Sequence, residues 1–444
     1  MKSPLLSRLK AGVALTAIVA QLAVAAGPAS AFCGFYVAQA DAKLFNKSSK
    51  VVLTRNGQQT AITMASDYEG EPSEFALVIP VPSFIKKDQI SVVDTKTIDH
   101  LDAYTAPRLV EYFDPDPCQE RVVAMSMAAQ PAPTATPPSP LPEYRGVKGE
   151  AQYDVAEYDV SILSADESDG LIRWLTDNGY KIPGGAEPVI GSYIKQKMHF
   201  FIAKVNLKRM QDSGRAYLRP LQVRYETAKF MLPLRLGTVN ADGPQDLVIY
   251  ALTPHGRIEA SNYRTVKVPS DVDVPLFVKN DFASFYKATF ERAVARENMH
   301  GIFVEYAWDT GWCDPCAAAP ISKAEFAELG ALWTDGDGAV ANRFPPGSGN
   351  DPFVTRLHVR YDAQSFPEDL NFVETSDREN FQGRYILHHP STSTTGCAAA
   401  KAYRASLPLS FKKQADNLAE LTGWSKDDIA KRMAAAGQDI SNVP

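Results

Sequence analysis

A ten-residue strand pattern occurs twice in this chain. Tyr217-Leu-Arg-Pro-Leu-Gln-Val-Arg-Tyr-Glu226 returns in type as Phe353-Val-Thr-Arg-Leu-His-Val-Arg-Tyr-Asp362. The apolar positions that follow keep the same step, with Phe230, Leu234 and Leu236 answering Phe366, Leu370 and Phe372. Alternation with a period of two puts each copy's apolar side chains on one face of a sheet. Self-similarity at a fixed spacing marks a duplicated supersecondary unit; chance likeness between two β-rich segments is the alternative. Both readings require a sheet with a buried face.

Other segments extend that sheet. Asn56-Gly57 between the apolar runs 51–54 and 60–64 is a hairpin signal. Segment 75–81 is a short apolar strand closed by Pro80 and Pro82, 153–164 alternates like a strand, and 198–205 and 301–306 are apolar strands. Helical spacing falls at 169–178, stopped by Gly179, and at 282–298, with Phe282, Phe285, Tyr286 and Phe290 on one face. It falls again at 320–332, and at 415–421 and 426–434 joined across Gly423-Trp424. The expected class is α+β and β-rich, in two or three packed units with an internal strand-unit repeat. A length of 444 residues exceeds one ordinary core. The predicted division is 1–31, a signal peptide; 32–127, a β-rich unit; 128–147, a proline-rich linker or loop containing PAPTATPPSPLP; 148–275, a middle α+β unit; and 276–444, a C-terminal α+β unit carrying a Cys-x-x-Cys pair and terminal helices.

The first segment has the layout of an export signal. Lys2, Arg8 and Lys10 precede an almost wholly apolar stretch, 11–26, and Ala29-Ser30-Ala31 offers small residues for cleavage before Phe32. The stretch is shorter than the ~20 residues a membrane helix needs, so no stable membrane span is expected after its removal. A periplasmic or secreted location follows. The net charge is −6, and losing three basic residues would bring it to about −9. That balance, with no basic stripe among aromatics, argues against a nucleic-acid partner.

Five cysteines remain: Cys33, Cys118, Cys313, Cys316 and Cys397. In an oxidising compartment an odd count suggests two bridges and one leftover thiol. Cys33 and Cys118 bracket the first β-rich segment, so a bridge between them is expected, with the state of Cys397 open. Cys313 and Cys316, in Trp312-Cys313-Asp314-Pro315-Cys316, could form a structural disulfide, a redox-active pair or part of a metal site. The turn resembles the active-site turn of the thioredoxin family, which implies Cys313 as attacking and Cys316 as resolving thiol. It departs from that pattern in the longer approach Asp309-Thr310-Gly311 and in the charge of Asp314, which disfavours a thiolate. Pro352 is the best-placed candidate for the proline such a site requires.

No other chemistry is assembled. His388 and His389 before Cys397 match no standard zinc spacing, and Asp335 and Asp337 lack the other ligands of a calcium loop. Glu111, Asp114 and Asp116 cluster near Cys118, but D-P-D-P-C reads as a rigid turn rather than a carboxylate pair for glycoside hydrolysis. Serine-nucleophile, phosphate-loop and dinucleotide motifs are missing. No cofactor or metal is expected.

Taken in order, several segments resemble a bacterial family without assigned activity, domain-of-unknown-function family 2330. They are CGFYV at Cys33, LVIPVP ending at Pro82, TAPRLVEYFDPDPC ending at Cys118, NGYKIP at Asn178, RPLQVRYE, EYAWDTGWCDPC, TRLHVRYD, and LTGW at Leu421. The resemblance implies export for many members and, for some, a C-terminal membrane anchor, which is not expected here. It transfers no catalytic residue. The expected function is that of a non-catalytic exported binding or cell-envelope protein stabilised by disulfides, with a cell-envelope partner; the alternative is an extracytoplasmic thiol–disulfide oxidoreductase.

Overall fold

The computed structural model describes residues 29–30, 35–38, 45–69, 75–119, 151–164, 168–214, 217–239, 241, 243–312, 318–335, 351–394 and 396–441. Of the expected signal peptide, 1–31, the described residues are Ala29 and Ser30, which pair in parallel with Gln245 and Asp246, and the proline-rich linker or loop, 128–147, lies outside the described residues. A large mixed sheet runs in the order Arg264–Lys267, Gly301–Asp309, Phe353–Tyr361, Gln245–Thr253, Phe45–Asn56, Gln59–Glu69, Leu221–Glu226, Ile90–Val92. Strands from all three sequence-defined units share it, and the Gln245–Thr253 and Phe45–Asn56 strands pair in parallel at its middle. The fold is mixed α+β and β-rich.

The hairpin signal at Asn56-Gly57 is used: Asn56 pairs with Gln59, and Gly57 takes a φ of +60° that a side chain would strain. Val51 and Leu53 face one core while Val52 faces another, which explains an unbroken apolar run. The inner face of the large sheet packs on a second sheet containing Phe75–Val81, His199–Val205, Tyr158–Leu163 and Ala151–Val155. Segment 153–164 is therefore not one strand. It turns back at Ala156, whose φ is +52°.

Helices cover both outer faces. Leu171 and Leu175 of the Ser168–Asp177 helix, with Ile190 and Tyr193 of Ala186–Lys195, seal the second sheet. On the large sheet, Ile98, Leu101 and Tyr104 of the Thr95–Thr105 helix share a core with Phe326 and Leu329. The helix expected over 320–332 is shorter. It runs Lys323–Glu328, started by a capping box between Ser322 and Glu325, and Leu332–Asp335 is a separate 3-10 turn.

Both copies of the repeated pattern supply strands of the large sheet, the first over Leu221–Glu226 and the second over Phe353–Tyr361. They run in opposite directions, and Leu221, Val223 and Tyr225 enter the same core as Leu357, Val359 and Tyr361. Downstream they diverge: Arg235–Val239 is a helical turn where the second copy forms the strand Leu370–Glu374. The divergent pieces meet, with Leu232 paired to Leu370 and Phe230 against Phe372.

A smaller sheet, Val272–Asp273, Arg384–His389 and Arg108–Phe113, packs with the C-terminal helices. The expected helix at 415–421 is the end of a longer one, Ala398–Thr422, which includes Pro408 and stops at Gly423 with φ +73°. Its first half buries little, so it carries no apolar period to read. No helix among the described residues is long and apolar enough to cross a membrane.

Candidate functional site

The cysteines do not assemble as expected. Cys118 is bonded to Cys397, with the Cα atoms 6.1 Å apart, so the expected Cys33–Cys118 bridge is corrected and Cys397 is not the leftover thiol. The bridge fastens the N-cap of the Ala398–Thr422 helix to the turn that follows the Arg108–Phe113 strand. The reason is the chain path: the Arg384–His389 strand lies parallel to Arg108–Phe113 and delivers both cysteines to one end of that small sheet. Cys33, Cys313 and Cys316 lie outside the described residues.

The approach to the Cys313–Cys316 pair is described up to Trp312. Asp309, almost fully buried, accepts hydrogen bonds from Arg378 at 2.7 Å and from the Gly311 N–H at 3.0 Å. The Pro352 carbonyl accepts from the Thr310 hydroxyl at 2.7 Å and from its N–H at 3.2 Å. Pro352 thus sits beside the root of the cysteine turn. The next helix begins only at Lys323, so its N-terminal N–H groups are separated in sequence from Cys316 by the segment 317–322.

The carboxylates near Cys118 are engaged structurally. Asp114 accepts from the Tyr403 hydroxyl at 2.6 Å, Asp116 from the Cys118 N–H at 2.9 Å, and Glu111 meets Lys279 and His389. Hydrogen bonds from Lys279 and His389 lower the Glu111 pKa. His388 lies between Asp114 and Asp273, 3.5 and 3.2 Å away, and His389 stacks on Phe113. Among the described residues no group of three or more His, Cys, Asp or Glu could hold a metal ion.

A second polar cluster was not foreseen. In the Gly301–Asp309 strand the register slips between Val304 and Tyr306, and the extra residue is Glu305. The bulge turns its carboxylate toward the Phe353–Tyr361 strand, where Arg356 Nε donates at 2.6 Å and His358 Nδ1 lies at 2.7 Å. Tyr286 donates its hydroxyl to the same carboxylate. Arg356 also reaches Asp102 at 2.6 Å, and Asp102 takes further bonds from Tyr250 and Lys50. Burial alone would raise the Glu305 pKa, but the charges of His358 and Arg356 outweigh it and hold it at about 2. Asp102 likewise overcomes its burial through Arg356 and Lys50 and sits at about 2. Glu305 is 0% exposed, so its carboxylate orders the core. Its sequence signal was a single acid within the apolar run Ile302–Tyr306, facing the alternating Arg356, His358 and Arg360.

An accessible cleft of about 440 Å³ lies on the outer face of the large sheet, where helical cover ends. That size falls in the range of small-molecule clefts. Cross-strand pairing builds it. Thr54, Ala61 and Arg224 form one row over three strands, and Asn56, Gln59 and Glu226 form the next row on the same face. One wall is Gly330, Leu332 and Trp333. Thr54 donates to the Leu329 carbonyl at 2.7 Å and Gln222 to the Glu328 carbonyl at 2.9 Å, which pins that wall to the sheet. Gly330 has φ +93°, and a Cβ there would stand 2.6 Å from that of Ala61. The side chains of Gln59 and Glu226 are exposed and that of Asn56 is half-buried, none of them bonded to another described residue, while the Trp333 indole N–H is buried without a partner among the described residues. Arg224 donates to the Asp88 carbonyl at 2.9 Å. The hairpin that presents Asn56 was readable in the sequence; the row to which it belongs was not.

No curated protein matches this chain. The solved structure of a mutated baculovirus P35 after caspase cleavage aligns with 46% of this chain and 65% of its own, at 8% identity and a TM-score of 0.23. This chain thus spans under two thirds of that protein, and the likeness carries no argument. A family described as an uncharacterized protein conserved in bacteria, DUF2330, matches residues 27–373, and the chain belongs to that family.

Proposed function

We propose that this is an exported bacterial binding protein of the cell envelope, acting without catalysis through the cleft on the large sheet. The observation that carries the reading is the row Asn56–Gln59–Glu226. Its three polar side chains stand unpartnered beside Trp333, in a cleft whose wall is fixed by hydrogen bonds from the sheet. Groups left unpaired on a rigid scaffold are what a ligand site needs. The contrast with Glu305 supports it, since there the buried carboxylate is matched by Arg356 and His358. Support for export comes from the basic and apolar N-terminal layout and from the Cys118–Cys397 bridge, which suits an oxidising compartment.

Fractionation of the native host, with N-terminal sequencing, tests export. Processed protein starting near Phe32 outside the cytosol is the expected result, and intact cytosolic protein would refute it. Binding is tested by thermal-shift screening of a mixed small-molecule library against wild type and Gln59→Ala. A stabilising compound whose effect is lost in the variant is expected. Hits indifferent to the substitution would remove the cleft from the reading.

One observation favours a second reading, thiol–disulfide exchange with Cys313 attacking and Cys316 resolving. Pro352 borders the base of their turn, and the strands on either side, Gly301–Asp309 and Phe353–Tyr361, are antiparallel neighbours. It requires insulin reduction that Cys313→Ser abolishes and a potential between about −270 and −120 mV. Equal activity in wild type and variant would end it.

A further inference from the structure

We infer that the cleft takes an uncharged saccharide, with one ring against Trp333 and hydroxyls on the Asn56–Gln59–Glu226 row; this rests on the binding reading above. The row lies on a sheet face, so its members repeat at the inter-strand spacing and extend over roughly 10 Å. Carboxamides both donate and accept, and a carboxylate accepts twice over, so the three together match groups that are simultaneously donors and acceptors. Hydroxyls are such groups. The amphipathic indole of Trp333 offers an aromatic surface for the C–H face of a sugar ring.

Charge excludes the obvious competitors. Arg224 is the cation among the residues that line the cleft. It already serves the Asp88 carbonyl, and Glu226 stands two residues along on the same face. A phosphate or carboxylate ligand would therefore meet a neutralised rather than a positive field. An extended peptide is recognised at a strand edge or in an apolar groove. Here the presented groups belong to a polar row on a sheet face, with Ala61 as its small floor.

The test is calorimetric titration of the full exported chain with maltotriose, cellotriose and chitotriose, beside trialanine and inorganic phosphate. At least one trisaccharide should bind. Gln59→Ala and Glu226→Gln, exposed changes that spare the core, should each weaken it about tenfold, the loss of one hydrogen bond. Trp333→Phe should weaken it less than Trp333→Ala. A trisaccharide that binds all variants equally would overturn the assignment. Binding of trialanine or phosphate alone, sensitive to Gln59→Ala, would overturn the saccharide and leave a binding cleft. No binding by any probe at millimolar concentration would count against both.

Discussion

Changing Glu305 to Gln removes one charge from the buried cluster and leaves the shape nearly intact. In the wild type the carboxylate accepts from Arg356 at 2.6 Å, from His358 at 2.7 Å and from Tyr286. The variant leaves Arg356 with half of its compensation, since Asp102 still holds the other side at 2.6 Å. Breaking a buried pair outright costs about 3–5 kcal/mol. With one partner kept, about 3 kcal/mol is expected at pH 7. The depressed pKa expresses the same contacts: a carboxyl held at about 2 rather than near 4.5 contributes roughly 3 kcal/mol. Because the folded pKa is depressed, this contribution is complete above about pH 4.5 and disappears as pH falls toward 2. The denaturant stability of wild type and Glu305→Gln should therefore differ most at neutral pH and converge on acidification. The assay is urea unfolding followed by tryptophan fluorescence at pH 7, 4 and 3. A deficit under about 1 kcal/mol at pH 7, or one that stays constant with pH, would refute the claim that this charge is matched in the core.

Cys397→Ser should lower stability by up to about 5 kcal/mol, because the bridge closes a loop spanning 279 residues. Reductant should lower the stability of wild type by more than that of the variant, and a mass-mapped Cys33–Cys118 peptide would contradict the pairing. Gly330→Ala should cost about 1–3 kcal/mol through its left-handed φ and the clash with Ala61. The same substitution should weaken any cleft ligand, and unchanged melting would show that the wall can shift freely. Asp369→Asn should destabilise by about 3 kcal/mol, since Asp369 accepts from Tyr193 at 2.6 Å and forms a two-pronged pair with Arg235. Loss under about 1 kcal/mol by chemical denaturation would count against that role.

Much of the backbone was readable because its signals are local. The Asn56-Gly57 turn, the apolar runs at Phe75–Val81 and His199–Val205, and the helix Phe282–Arg296 all lie close to where periodicity placed them. Errors came where local pattern meets a long-range constraint. The first half of Ala398–Thr422 buries so little that it carries no apolar stripe, and its start is fixed by a disulfide instead. Segment 153–164 reads as one strand because alternation continues through the turn at Ala156. Glu305 showed only as a lone acid in an apolar strand; its meaning depended on a bulge and on partners from other elements.

The amino-acid order alone determined the periodicities. Two like strands with one apolar face each and a β-rich mixed class follow from residue types at fixed short spacings. Which cysteines meet, and which polar residues stand in a row, are distances between segments far apart in the chain. Asn56, Gln59 and Glu226 become neighbours only because Gln59–Glu69 pairs on one side with Phe45–Asn56 and on the other with Leu221–Glu226. Register sets that alignment, and a slip of one residue would turn every one of those side chains to the opposite face.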